Sequence, residues 1–93
     1  MDLGLKGKTV IITGGGSNIG RAITLAFAKE GSNIVIADID EKQANKVADK
    51  AKELGGKAIA VKTDVTDYDA VEATVKKAID EFGAVDVLVN NVG

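Results

Sequence analysis

Residues 8–20 read KTVIITGGGSNIG, from Lys8 to Gly20. Val10, Ile11 and Ile12 form a short apolar run of β-branched residues, which fits a strand buried on both faces. Gly14, Gly15 and Gly16 follow at once. Beyond them Ile19, Ile23, Ala26 and Phe27 recur at the spacing of one helical face. The expected unit is therefore strand, glycine loop, helix. Such a loop exposes backbone N–H groups where the helix N-terminus adds positive partial charge, and together these suit a phosphate. Gly14 is expected to make the tight turn. Gly15 and Gly16 are expected to let a ligand approach the backbone, and Gly20 to let the helix pack closely on the strand.

The unit repeats outward from this stretch. Asn33–Ala37 is a second apolar strand. Asp40 and Gln43 have capping-box spacing, and Ala44, Val47, Ala48, Ala51 and Leu54 make the next helical stripe, ended by Gly55 and Gly56. Lys57–Lys62 is a third strand. Thr66 and Asp69 again fit the capping box, with Val71, Val75, Ala78, Ile79 and Phe82 as a third stripe and Gly83 behind it. Glu72 and Lys76 are spaced for a supporting i,i+4 pair. Val85–Val89 is the fourth strand. Strands alternating with helices over short connections predict an α/β fold with a parallel sheet, because the crossover helices must cover its faces. One domain is expected.

Composition narrows the function. The chain has 93 residues, 12 Lys+Arg against 14 Asp+Glu, a net charge of −2 and 45% hydrophobic residues. That is a globular chain with no electrostatic footprint for nucleic acid. It has no Cys and no His, so disulfides, Cys/His metal sites and His-based triads are excluded. No apolar run approaches the ~18 residues of a membrane span, and MDLGLKGK lacks the apolar core of a signal peptide. A soluble, cytoplasmic protein is expected, with no membrane and no nucleic-acid partner.

Two phosphate-loop patterns compete for residues 13–20. G-x-G-x-x-G does not fit from Gly14 or Gly15. G-x-x-x-x-G-K-[ST] fits the spacing of Gly15 and Gly20, but Arg21 replaces the Lys and Ala22, which cannot ligate Mg²⁺, replaces the hydroxyl residue. Asp38 lies at the end of the second strand, eighteen residues after Gly20. An acid there accepts hydrogen bonds from an adenosine ribose, and its charge repels a 2′-phosphate. At ~4 Å and an effective dielectric of ~20 that repulsion is about 4 kcal/mol before screening. The residues beside it, Ile39 and Ser17 of the loop, bring no compensating cation. NAD is therefore expected in preference to NADP.

With these residues in place, the chain resembles the N-terminal half of a short-chain dehydrogenase/reductase. TGGGSNIG looks like that family's T-G-x-x-x-G-x-G, with Thr13, Gly14 and Gly20 matching and Asn18 where the middle glycine belongs. Asn90-Asn91-Val92-Gly93 looks like its N-N-A-G, with Val for Ala, and Asp64-Val65 resembles its Asp-Val pair after the third strand. The resemblance covers essentially the whole chain. It implies a Rossmann-like doubly wound parallel sheet, four strands in order 3-2-1-4, as the N-terminal part of a single dinucleotide-binding domain. It implies that Ser17, Asn18 and Ile19 line the pyrophosphate, with Gly14 turning the loop, and that Asp38 holds the ribose. It further implies that Asp64 and Val65 meet the adenine, and that Asn90 and Gly93 border the cofactor. Asn at position 18 is expected to keep the loop shape because Asn tolerates φ > 0.

The family's chemistry needs a Ser and a Tyr-x-x-x-Lys pair. The one tyrosine, Tyr68, is followed four residues later by Glu72, and Ser17 and Ser32 fall in turns. No catalytic residue is expected in this chain. An open edge at the fourth strand invites pairing with another chain, and the segment reads as part of something larger, with a homo-oligomer expected. The implied complete protein is an NAD-dependent oxidoreductase acting on a small alcohol/carbonyl substrate. The alternative is a non-catalytic NAD-binding module or redox sensor that assembles with a partner.

Overall fold

The computed structural model describes residues 4–91. Its elements run β1 (Thr9–Thr13), α1 (Asn18–Lys29), β2 (Asn33–Asp38), α2 (Glu41–Glu53), β3 (Lys57–Lys62), α3 (Tyr68–Phe82) and β4 (Val87–Asn90). The four strands form one parallel sheet in the order β3-β2-β1-β4, the topology expected for a Rossmann-like half. Among the described residues no helix is long and apolar enough to cross a membrane.

The continuous apolar strands are explained by burial on both faces. Successive side chains alternate between the faces. Val10, Ile12, Ile34, Ile36 and Ala58 pack on one side with Ala44, Val47, Ala48 and Ala51 of α2 and Ala28 of α1. Ile11, Val35 and Ala37 pack on the other with Ala78 and Phe82 of α3. That second face is only partly covered. Leu88, in register with Ile11, is 63% exposed, and Val75 and Ile79 of α3 are also exposed.

The α2 stripe lies where its spacing puts it. The α1 stripe does not. Its buried residues are Gly20, Thr24 and Ala28, whereas Ile19 and Ala26 are exposed. Three small residues at i, i+4 and i+8 present a flat ridge that lets the helix axis approach the sheet, with Ile23, Leu25 and Phe27 packed beside it. The Thr24 hydroxyl donates to the Gly20 carbonyl at 2.7 Å, so its burial leaves no polar atom unpaired.

α3 corrects the sequence reading by one residue. Its N-cap is Asp67, which accepts from the amides of Asp69 and Ala70; Thr66 bonds Asp64 instead. Gly83 ends α3 in the left-handed region at φ 86°, as a helix-stop glycine should. Glu72 and Lys76 do not pair; the ion pair among the described residues is Lys50–Glu53 at 3.4 Å. β4 begins at Val87, two residues later than expected. Asp86 is drawn to β1, where its carboxylate accepts from the Thr9 amide at 2.8 Å.

Candidate functional site

The parallel register brings the C-terminal ends of β1, β2 and β3 to one edge of the sheet, beside the N-terminus of α1. A cleft of about 390 Å³ opens there. Of the residues expected to bind a cofactor, Gly14, Ser17, Asp38, Asp64 and Val65 line it, together with Ile39 and Asn91. Crevices at the carboxyl ends of parallel strands are where ligands settle in such sheets.

Gly14 turns the chain out of β1 at φ 64°, and its amide donates to the Ala37 carbonyl at 2.7 Å. A side chain at Gly20 would collide with the Gly14 carbonyl oxygen and come within 2.8 Å of Gly15 Cα. Gly20 was expected to let the helix approach the strand; the backbone it approaches is the Gly14–Gly15 turn that follows β1. Gly15 and Gly16 correct the reading. Both are buried, and protein fills the space beside them. A Cβ on Gly15 would stand 2.7 Å from Ile36 Cγ2, and one on Gly16 2.8 Å from Asp38 Oδ2 and 3.2 Å from the Ala44 amide nitrogen. These glycines seat the loop on β2 and α2 and do not open it to a ligand.

Ser17 caps α1. Its hydroxyl donates to the Gly14 carbonyl at 2.8 Å and accepts from the Gly20 amide at 3.1 Å and from Asn91 Nδ2 at 3.1 Å. One hydrogen and two lone pairs are thereby committed, so Ser17 shapes the loop more than it offers a free ligand group. Asn18 and Ile19 are exposed and open the helix. Asn18 has an ordinary negative φ, so the expected left-handed conformation is not needed there. The amides of Asn18 and Ile19 have no acceptor among the described residues. They are the free N–H groups that a helix N-terminus presents to an anion.

Asp38 lies against the loop. Its Oδ2 accepts from the Gly16 amide at 2.9 Å and its Oδ1 from the Asp40 amide at 2.9 Å. β3 sets Lys62 in register beside it, which corrects the expectation that no cation stands near Asp38; adjacency along the chain could not reveal a partner across the sheet. Across the cleft, Asp64 accepts from the Thr66 hydroxyl at 2.6 Å and the Thr66 amide at 2.9 Å. The hydroxyl first, and then the amide, hold its carboxyl below the ordinary 3.8. A lowered carboxyl contributes stability above its unfolded value and loses it as pH falls through the folded one. Thr66→Ala removes the larger cause. In a carboxyl NMR titration Asp64 should then move back up toward 3.8, and an unmoved midpoint would refute the assignment.

At the β4 end, Asn90 is exposed and does not line the cleft. Its Oδ1 is 3.2 Å from the Thr13 hydroxyl. Asn91 reaches the loop instead. Its amide donates to Thr13 Oγ1 at 3.0 Å, and its Nδ2 to the Gly14 carbonyl and to Ser17. The sequence placed Asn91 and Thr13 in two separate motifs and not against each other. A threonine ending one apolar strand, opposite a second that ends in one asparagine and is followed by another, was the available signal. Gly93 lies outside the described residues. Tyr68, the first residue of α3, is 77% exposed.

A family model described as short chain dehydrogenase matches residues 8–93. The 7alpha-hydroxysteroid dehydrogenase of Escherichia coli strain K12 is 44% identical over 92 residues, 99% of this chain and 36% of that protein. A solved 7alpha-hydroxysteroid dehydrogenase, complexed with NADH and 7-oxo glycochenodeoxycholic acid, matches with a TM-score of 0.92 at 44% identity, covering 96% of this chain and 35% of the other. An NAD+-bound xylitol dehydrogenase matches with a TM-score of 0.91 at 37% identity, covering 96% and 34%. The chain thus spans about a third of the length of these relatives.

Proposed function

The chain belongs to the short chain dehydrogenase family, and from that premise we propose that residues 1–93 are the N-terminal part of a single dinucleotide-binding domain whose cofactor is NAD(H). One observation carries the reading. The amides of Asn18 and Ile19, without a partner among the described residues, stand at the head of α1, beside the cleft that Asp38 lines. Donors for a diphosphate and an acceptor for a ribose are thereby set beside each other, which is the chemistry a dinucleotide requires. Asp64 and Val65 form the far wall, where the adenine belongs, and Asn91, next to the Asn90 expected to border the cofactor, lines the cleft and bonds the loop. NAD, when bound, supplies the hydride chemistry. The residues of this chain bind and orient its adenosine and diphosphate.

The complete protein, on this reading, is an oxidoreductase that moves a hydride between the nicotinamide and an alcohol/carbonyl carbon. No group here performs the proton transfer. Ser17 is committed to the loop, Ser32 donates to the Leu5 carbonyl at 3.1 Å, and Tyr68 is solvent-exposed with Glu72 four residues on. The purified chain should bind NAD and turn over no alcohol.

Calorimetric titration with NAD and with NADP tests the cofactor assignment. NAD should bind several-fold more tightly, because the 2′-phosphate would meet the Asp38 carboxylate, a repulsion that Lys62 in register beside it offsets in part. Equal affinities, or no heat with either, would overturn it. Asn18→Gly should leave NAD affinity within about threefold, since only the amide of residue 18 is required; a larger loss would make the side chain itself a ligand.

A second reading, a non-catalytic NAD-binding module that assembles with a partner, is favoured by the exposed Val75, Ile79 and Leu88 beside the β4 edge. A defined oligomer in size-exclusion chromatography supports it, and a monomer or aggregate counts against it.

A further inference from the structure

The carboxylate of Asp38 is divided between two backbone amides. Oδ2 takes the Gly16 N–H, 22 residues back in the chain, and Oδ1 takes the Asp40 N–H at the entry to α2. Gly16 is buried, so its amide has no water to fall back on if the carboxylate leaves. The missing side chain at Gly16 lets the carboxylate and the Ala44 amide of α2 close on the loop. Gly14 is held separately, by the Ala37 carbonyl. The loop between β1 and α1 is thus pinned to the end of β2 at two points, one of them a charge-assisted hydrogen bond.

We propose that Asp38 is a positioning residue for the glycine loop as well as the acceptor for the ribose, and that it sets the loop through the Gly16 amide before any cofactor arrives. The functional consequence rests on the dinucleotide reading above; the geometry does not. It follows that removing Asp38 does not simply relax the choice between NAD and NADP. It also frees the loop that leads into the Asn18 and Ile19 amides, so the diphosphate grip weakens together with the ribose grip.

Two measurements test this. The first is amide hydrogen exchange in the ligand-free chain. In Asp38→Ala the Gly16 amide should exchange on the order of fivefold faster or more than in the wild type, while the Gly14 amide keeps its rate. Asp38→Asn, which retains an acceptor oxygen, should restore much of the protection. An unchanged Gly16 rate in Asp38→Ala, or equal acceleration at Gly14, overturns the proposal. The second is binding of 2′,3′-dideoxyadenosine diphosphate, which has no ribose hydroxyls for Asp38 to hold. Asp38→Asn and Asp38→Ala are both uncharged, so their difference reports the acceptor alone. The Ala variant should bind several-fold more weakly. Equal binding overturns the loop's functional role while leaving the dinucleotide reading intact. A wild-type chain that binds neither NAD nor the dideoxy nucleotide sinks that reading, and the exchange rates then decide the loop assignment.

Discussion

Gly20→Ala should cost the chain at least about 3 kcal/mol and remove cofactor binding, although alanine is the better helix former by roughly 1 kcal/mol. The added methyl group would collide with the Gly14 carbonyl oxygen and lie 2.8 Å from the Gly14 carbonyl carbon and Gly15 Cα. All three are backbone atoms, so no rotamer change relieves the clash. The Gly14 carbonyl is also the acceptor for Ser17 and Asn91, and displacing it undoes the cap of α1. For a domain of this size the melting temperature should fall by ~10 °C or more. Urea unfolding followed by circular dichroism, with NAD calorimetry on the same sample, measures both effects. A variant with wild-type stability would show that α1 can move off the loop without loss.

Ile36→Ala should cost about 2–5 kcal/mol, a large share of a total stability on the order of 5–15 kcal/mol. Ile36 is fully buried in the middle of β2 and touches both the α-helical layer and the underside of the loop. Its Cγ2 fills the space a side chain at Gly15 would need. Gly15→Ala should therefore be destabilising in the wild type and less so beside Ile36→Ala. A double-mutant cycle in urea should return a coupling of at least about 0.5 kcal/mol. Strict additivity would mean that the Ile12 carbonyl, 3.2 Å from the same point, sets the clash alone.

The legible and illegible parts of this fold differ in kind. Every element of the sheet was visible in apolar runs and glycine stops, and β3 spans the residues read for it, Lys57–Lys62. The α2 stripe was visible because its buried face is also its apolar face. The α1 face was not, because Gly20, Thr24 and Ala28 carry little hydrophobic signal and are chosen for their size. Asp67 displaced Thr66 as the α3 cap because Thr66 had a closer partner in Asp64. In the site, Asp38, Asp64 and Val65 line one cleft together with Asn91, and it is Asn91, not Asn90, that bonds the Gly14 carbonyl.

The sequence by itself determined the alternation of strand and helix, the parallel sheet, and the strand ends at which donors and acids cluster. These follow from local periodicity and from the need to cover both faces of an apolar sheet. Only the tertiary structure decided how the polar atoms are shared between distant segments: Ser17 with Asn91, Asp38 with Gly16, and the space beside Gly15 and Gly16 with protein. A hydrogen bond takes whichever partner the packed backbone brings within reach. Gly16 and Asp38 stand 22 positions apart, and Ser17 and Asn91 stand 74 apart, so no local pattern could assign them.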